Sequence, residues 1–327
     1  KTTRSQTAPH SIHPSAHRLS LRTLLKGVGG LAAASFVGGG AAVAGSAPAQ
    51  AALNVAEHED QGRMQYYKLA TPSIGWLPRV NVLLPDAYDA SRRYPVLYLL
   101  HGGGEDYSTF DTKYNIRNHT AERDLIVVMP DGGAAGWYSD PESSNVGPRN
   151  WETFHVDELI PWVDATFSTI AQPAGRAVSG FSMGGFGALK YAAKHPELFG
   201  SVSSHSGPAD LRIQDGAVIH WANFTAGATD LKGGTIYGIP WDQARVSADN
   251  PVEHVESYRG KRIFLVCGTD SDRYESIVLP SQRSFEKALD AAGIGYERYE
   301  DTGTHIVRWG RVQQDIDSML NFLTKAG

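Results

Sequence analysis

The sequence is short of cross-links, metal ligands and phosphate loops. In 327 residues there is one cysteine, Cys267, so no intrachain disulfide can form and the fold must be held by its core alone. Cys267 ends the apolar run 263–267, where a buried thiol is expected rather than a reactive one. There is no H-E-x-x-H and no Cys/His cluster, so no metal site is expected. No G-x-x-x-x-G-K-[ST] or G-x-G-x-x-G pattern opens a helix, which removes the usual phosphate and dinucleotide cradles. No cofactor is therefore expected. Internal repeats and interdomain linkers are also absent.

Acidic residues are missing from the first 51 positions, which carry Lys1, Arg4, Arg18, Arg22 and Lys26. A Gly/Ala-rich apolar stretch, 27–44, follows the basic residues, and Ala49-Gln50-Ala51 has the A-x-A form of a cleavage site. Residues 1–51 are thus read as a secretory signal peptide, and 52–327 as a single domain, secreted and extracellular. No true Arg-Arg pair marks the twin-arginine route. Losing five positive charges takes the formal charge from −5 to −10. A chain that acidic is a poor partner for nucleic acid or anionic membranes, and no stable membrane insertion is expected after cleavage. With 41% hydrophobic and 20% charged residues, a sizeable core is possible.

From residue 64 onward, strand and helix patterns alternate. Continuous apolar runs at 94–100 and 125–129 suit strands buried on both faces. Further strands are expected at 66–69, 80–84, 176–179, 198–204, 261–267 and 296–300. Helical spacing appears at 151–167, 188–194, 281–292 and 312–323. This alternation implies an α/β fold with a mostly parallel sheet covered by helices on both faces. The Gly- and Asp-rich segment 208–250 reads either as an insertion over the C-terminal edge of that sheet, where ligands bind in such folds, or as a plain surface loop.

The chemistry centres on Gly180-Phe181-Ser182-Met183-Gly184, a G-x-S-x-G pentapeptide between a short strand and a helix. A serine on a sharp strand-to-helix turn points its hydroxyl away from both elements, and the glycines keep Cβ atoms out of the turn. The N–H of Met183 would then face an oxyanion formed at Ser182. Such a pentapeptide also arises by chance in a glycine-rich chain, so it needs partners elsewhere. A base is expected downstream, and His305, in the loop between the last strand and the last helix, fits best of the histidines. The orienting acid should follow strand 261–267, where Asp270, Asp272 and Glu275 all qualify by position. His101-Gly102-Gly103-Gly104 after a buried strand has the form of an oxyanion loop, with Gly103 the preferred donor and Gly102 and Gly104 its alternatives. Trp137, Tyr138, Trp221 and Trp241 are candidates to line a pocket or to pack in the core.

Five motifs carry a resemblance across roughly residues 80–323. They are the run from Tyr94 to Gly103, Asn150-Trp-Glu-Thr-Phe154 with Glu158-Leu159, Gly180-Phe-Ser-Met-Gly-Gly185, His195-Pro-Glu-Leu-Phe199, and Gly303-Thr-His305 with Trp309. As a set they resemble the esterase D superfamily, which includes S-formylglutathione hydrolases, feruloyl esterases and mycolyltransferases of the antigen 85 type. Gly136-Trp-Tyr-Ser-Asp140 with Trp151-Glu-Thr-Phe154 looks most like the secreted actinobacterial branch. The resemblance implies an α/β-hydrolase fold with Ser182 as nucleophile, His305 as base, and Met183 and Gly103 as oxyanion donors. For the acid it favours Asp272, then Asp270, then Glu275. Asp272-Arg-Tyr274 looks like the step that follows the acid in the esterases, whereas Glu275 aligns with the glutamate of the mycolyltransferases. Ile306-Val307 departs from the Ser-Trp usual after the mycolyltransferase histidine.

The expected activity is a secreted serine carboxylesterase acting through an acyl-enzyme on a small-molecule, glycolipid or polysaccharide ester. The alternatives are acyl transfer to a sugar or glycerol hydroxyl, and a noncatalytic protein on the same fold.

Overall fold

The computed structural model describes residues 53–326, and the segment read as a signal peptide, 1–51, lies outside the described residues. Among the described residues nine strands form one sheet in the order β1-β2-β3-β5-β4-β6-β7-β8-β9. They are β1 (Asn54–Gln61), β2 (Met64–Ala70), β3 (Arg79–Leu83), β4 (Val96–Leu100), β5 (Ile126–Pro130), β6 (Arg176–Phe181), β7 (Ser201–His205), β8 (Arg262–Gly268) and β9 (Glu297–Asp301). The pairs from β5 through β9 run parallel, and β1, β2 and β3 extend the sheet antiparallel. The helices are α1 (Thr109–Thr112), α2 (Ile116–His119), α3 (Trp151–Thr153), α4 (Ile160–Thr166), α5 (Met183–Lys194), α6 (Ile213–Ala228), α7 (Gln243–Asp249), α8 (Glu275–Ala291) and α9 (Trp309–Ala326).

Strands β4 to β8 are buried at every residue, because helices cover both faces. Side chains alternate across the pleat. Val96, Tyr98 and Leu100 of β4 enter one apolar cluster with Phe186 and Leu189 of α5 and Phe285 and Leu289 of α8. Leu97 and Leu99 enter the other, with Val312, Ile316, Met319 and Leu323 of α9. Those four α9 residues recur every three or four positions, so one helical stripe closes that face. Burying each contributes about 1.5–3 kcal/mol.

Every strand expected between 66 and 300 is present. Three differences have local causes. Strand β1 is exposed at all eight residues and pairs through its backbone, so it left no apolar alternation to read. The single helix expected over 151–167 is α3, a π-helical turn at Phe154–Leu159, and α4. Pro161, which has no N–H for the helical ladder, lies just beyond the π turn. Within 208–250 the chain forms α6 and α7.

Strand β4 has β5 on one side and β6 on the other, so the chain order reverses there. Loops leaving the C-terminal ends of neighbouring parallel strands diverge at such a point and open a crevice. The loops after β4, β6, β8 and β9 carry the oxyanion loop, Ser182, the three candidate acids and His305.

Candidate active site

Ser182 sits between β6 and α5 with φ 56° and ψ −117°, outside the regions L residues prefer. Strain of this kind persists only where the surroundings hold it. Here the Ser182 N–H donates to His205 O at 2.8 Å, and its carbonyl accepts from Phe186 N at 3.0 Å. The two glycines of the pentapeptide have separate reasons. A Cβ on Gly180 would stand 2.2 Å from Gly184 O, and one on Gly184 would stand 2.1 Å from Leu100 O. Strand β6 and helix α5 cannot approach β4 this closely with any other residue.

His305 Nε2 lies 2.8 Å from Ser182 Oγ. The ring is flanked by Phe181 and Tyr274, each with its centroid 5.0 Å away. Its other nitrogen, Nδ1, faces Glu275 Oε1 at 3.4 Å. That separation is long for a hydrogen bond but within ion-pair range, and such contacts tighten when a catalytic complex forms. With the ring proton on Nδ1, the serine hydroxyl is the donor to Nε2.

The three candidate acids part company. Glu275 is 1% exposed. Its Oε1 also accepts from Ser206 Oγ at 2.6 Å and from Gly268 N at 3.2 Å, and its Oε2 from the Cys267 thiol at 2.9 Å. Burial pushes this carboxyl up, but the facing His305 ring and the bonds from Cys267 and Ser206 outweigh it and hold it below the usual range. Asp272, favoured from sequence, faces the backbone instead. It accepts from Tyr274 N at 2.8 Å and Glu275 N at 2.7 Å, the first turn of α8, and from His305 N at 3.0 Å. Those bonds outweigh partial burial and lower its pKa. Asp270 is exposed, held by backbone bonds to Gly303 and Asp272. The geometry thus brings Glu275, placed last of the three from the sequence, to His305 Nδ1, and places neither Asp272 nor Asp270 there. Residue 275 opens α8 pointing at the imidazole, and residue 272 closes the loop beneath it. Cys267 is buried as expected, its thiol pushed up by burial and by the Glu275 charge.

In the glycine loop, Gly102 N–H donates to Glu105 Oε2 at 3.0 Å and Gly104 N–H to Ala134 O at 2.7 Å. Gly103 and Gly104 both line the cleft, and of the three N–H groups that of Gly103 is the one left without a partner among the described residues. Met183 is the first residue of α5, and a first-turn N–H has no partner within its own helix. His101 is structural. Its Nε2 accepts from Gly132 N at 2.9 Å, and its carbonyl accepts from Tyr138 OH at 2.9 Å.

Above Ser182 opens a cleft of about 600 Å³. Trp137, Phe181, Met183, Trp221, Tyr274, Ile306 and Val307 make its walls largely apolar. Trp221 packs edge-on to Trp137 at 5.0 Å and stacks on Tyr274 at 5.3 Å. Of the four aromatics singled out from sequence, Trp137 and Trp221 line the cleft. Tyr138 is core, and Trp241 packs against Gly216 and His220. Thr225 and Thr229 also line it, so segment 208–250 does cover the sheet edge. Residues not found from sequence include Ser206, which holds the Glu275 carboxylate, and Asp230, which accepts from Ala135 N at 2.8 Å and ties down the wall beside Gly104. Neither lies in a recognisable motif. Among the described residues no group of three or more His, Cys, Asp or Glu is arranged to hold a metal ion.

The Esterase family model matches residues 71–323. The chain belongs to the Esterase family. Esterase Rv1288 of Mycobacterium tuberculosis is 56% identical over 283 residues, covering 83% of this chain and 62% of the relative, so the chain spans under two thirds of that protein's length. Diacylglycerol acyltransferase/mycolyltransferase Ag85A of Mycobacterium leprae is 29% identical, covering 84% of this chain and 86% of the relative. Among solved structures, an S-formylglutathione hydrolase from Agrobacterium tumefaciens has a TM-score of 0.65 at 20% identity, covering 84% of this chain and 99% of its own. Mycobacterium tuberculosis MPT51 has a TM-score of 0.64 at 24% identity, covering 83% and 99%. The fold is that of the α/β-hydrolases, as the resemblance implied.

Proposed function

We propose that this member of the Esterase family is a serine carboxylesterase working through an acyl-enzyme on Ser182. The observation that carries the reading is the 2.8 Å contact between Ser182 Oγ and His305 Nε2 at the floor of an apolar cleft. Ser182 Oγ attacks the ester carbonyl carbon, and its proton passes to His305 Nε2. Glu275, across Nδ1, stabilises the imidazolium that results. The N–H groups of Gly103 and Met183 bind the carbonyl oxygen as it becomes an oxyanion. Collapse breaks the bond to the alkoxy oxygen, which leaves as the alcohol with the proton from His305. Water then loses a proton to His305 as it attacks the acyl-enzyme, and collapse breaks the bond to Ser182 Oγ, which takes the proton back from His305 as the carboxylic acid leaves.

An extracellular site of action is part of the proposal, supported by the basic and then Gly/Ala-rich composition of residues 1–51. Among the described residues no helix is long and apolar enough to cross a membrane.

A second reading, acyl transfer from Ser182 to a sugar or glycerol hydroxyl, is favoured by the 29% identity to an acyltransferase/mycolyltransferase. The two readings differ only in which hydroxyl attacks the acyl-enzyme. The test is hydrolysis of p-nitrophenyl esters of increasing chain length by the wild type and by Ser182→Ala, with fluorophosphonate labelling alongside. Turnover by the wild type alone supports the esterase. An adduct on Ser182 without turnover moves acyl transfer ahead. Neither adduct nor turnover sinks both.

A further inference from the structure

The cleft wall nearest the oxyanion loop carries a carboxylate, where negative charge opposes the reaction. Glu105 lines the cleft, and its side chain is 14% exposed. Both its oxygens are occupied. Oε2 accepts the Gly102 N–H at 3.0 Å. Oε1 accepts from Lys113 Nζ and from Tyr114 OH, each at 2.9 Å. Its own N–H donates to Gly102 O at 3.2 Å, so side chain and backbone clamp the same residue.

Two consequences follow for the loop. The Gly102 N–H is taken, as is that of Gly104 by Ala134 O, so Gly103 is the donor left for a bound carbonyl. The peptide planes on either side of Gly102 are also fixed, and a run of glycines has no side chains of its own to fix them. The carboxylate would repel a developing oxyanion, but Lys113 lies against it as a counter-charge. Lys113 is itself 60% exposed and stacks over the Tyr114 ring, 4.6 Å from its centroid. Glu105 and Lys113 together thus fix the loop with little net charge added beside Ser182.

We infer that Glu105 is a positioning residue that sets the oxyanion loop, with Lys113 as the cation that makes a carboxylate tolerable there. The inference rests on the esterase reading and concerns the tetrahedral states specifically, since only they carry the oxyanion. Glu105→Ala is therefore expected to lower kcat by about 10- to 100-fold with KM within about twofold. A trifluoromethyl ketone probes the same state. Ser182 adds to its carbonyl, His305 takes the proton, and the ketone oxygen becomes an oxyanion. Its affinity should fall in step with kcat, while the melting temperature moves little. Glu105→Gln keeps an acceptor for Gly102 and should recover most of the loss. Lys113→Met, at an exposed position, leaves the carboxylate unneutralised and should lower kcat about 3- to 10-fold, more at low ionic strength.

Unchanged kcat in Glu105→Ala overturns the inference, as does a loss carried by KM with ketone affinity intact. Should Glu105→Ala fail to fold, Lys113→Met decides, and an unchanged kcat there overturns it equally. A wild type silent on every ester defeats the esterase reading itself, a result distinct from silence in the variants alone.

Discussion

Exchanging Glu275 and Asp272, two of the three acids in residues 270–275, separates catalysis from architecture. Glu275 Oε1 stands 3.4 Å from His305 Nδ1. At an effective dielectric constant of about 20, unit charges at that distance attract by roughly 5 kcal/mol, the most the carboxylate can lend to the imidazolium. Glu275→Gln removes that charge but keeps the shape, and its amide nitrogen can face the Cys267 sulfur in place of Oε2. At 1.36 kcal/mol per decade, kcat should fall by about 10³-fold, with the melting temperature much less affected. Asp272→Asn acts differently. One amide oxygen can still accept from Tyr274 N and Glu275 N, but an amide NH₂ then meets the His305 N–H. That clash of donors should cost about 1–2 kcal/mol of stability and roughly tenfold in kcat through a displaced His305 loop. The assay is p-nitrophenyl butyrate turnover beside a thermal melt for each variant. The reasoning fails if Glu275→Gln stays within tenfold of wild type, or if Asp272→Asn loses more kcat than Glu275→Gln.

Three further outcomes follow from the same geometry. Gly184→Ala would put a Cβ 2.1 Å from Leu100 O and should destabilise the fold by more than about 4 kcal/mol, read as insoluble or unfolded protein. Buried His155 is neutral in the folded chain, its pKa lowered from 6.5 to about 3, mainly by burial. Between those values the unfolded chain binds a proton that the folded one does not, so stability should fall as pH drops from 6.5, by about 1.4 kcal/mol per unit. Asp315, lowered to about 2 by Arg262, His205 and Ser203 against the effect of burial, adds a further loss below pH 3.8. A melting temperature flat from pH 6.5 to 4.5 would refute the His155 part. Trp221→Ala removes the wall between Trp137 and Tyr274 and should shift the preferred acyl chain to a longer one in the ester series. An unchanged chain-length profile would mean the acyl group lies elsewhere.

What could be read from the sequence depended on whether a residue's role was written in its neighbours. The central strands announced themselves as apolar runs because both their faces are covered. Ser182 and Gly103 stood out because a tight turn and a close backbone approach demand glycines beside them. Strand β1 had no such signature, since backbone pairing with β2 uses no side chain. Helix α6 carries three residues with positive φ in its first turn, Gln214, Asp215 and Gly216, and is apolar on more than one face, so no helix was expected within 208–250. The choice between Asp272 and Glu275 lay beyond spacing altogether. Three residues separate them, and the start of α8 turns one toward backbone and the other toward the imidazole. Ser206 and Glu105 act through contacts made by the fold and belong to no pattern of their own.

The exposed strand β1 also bears on how the molecule meets copies of itself. An open sheet ends in unpaired N–H and C=O groups that can template another chain. One rim here, β1, carries Glu57, Glu59 and Asp60 and a register shift between Val55 and Glu57. The other, β9, reads Glu297-Arg-Tyr-Glu-Asp301. Two molecules approaching rim to rim at neutral pH bring carboxylates against carboxylates. Charge on both rims thus opposes the edge-to-edge pairing that their backbone groups would otherwise allow.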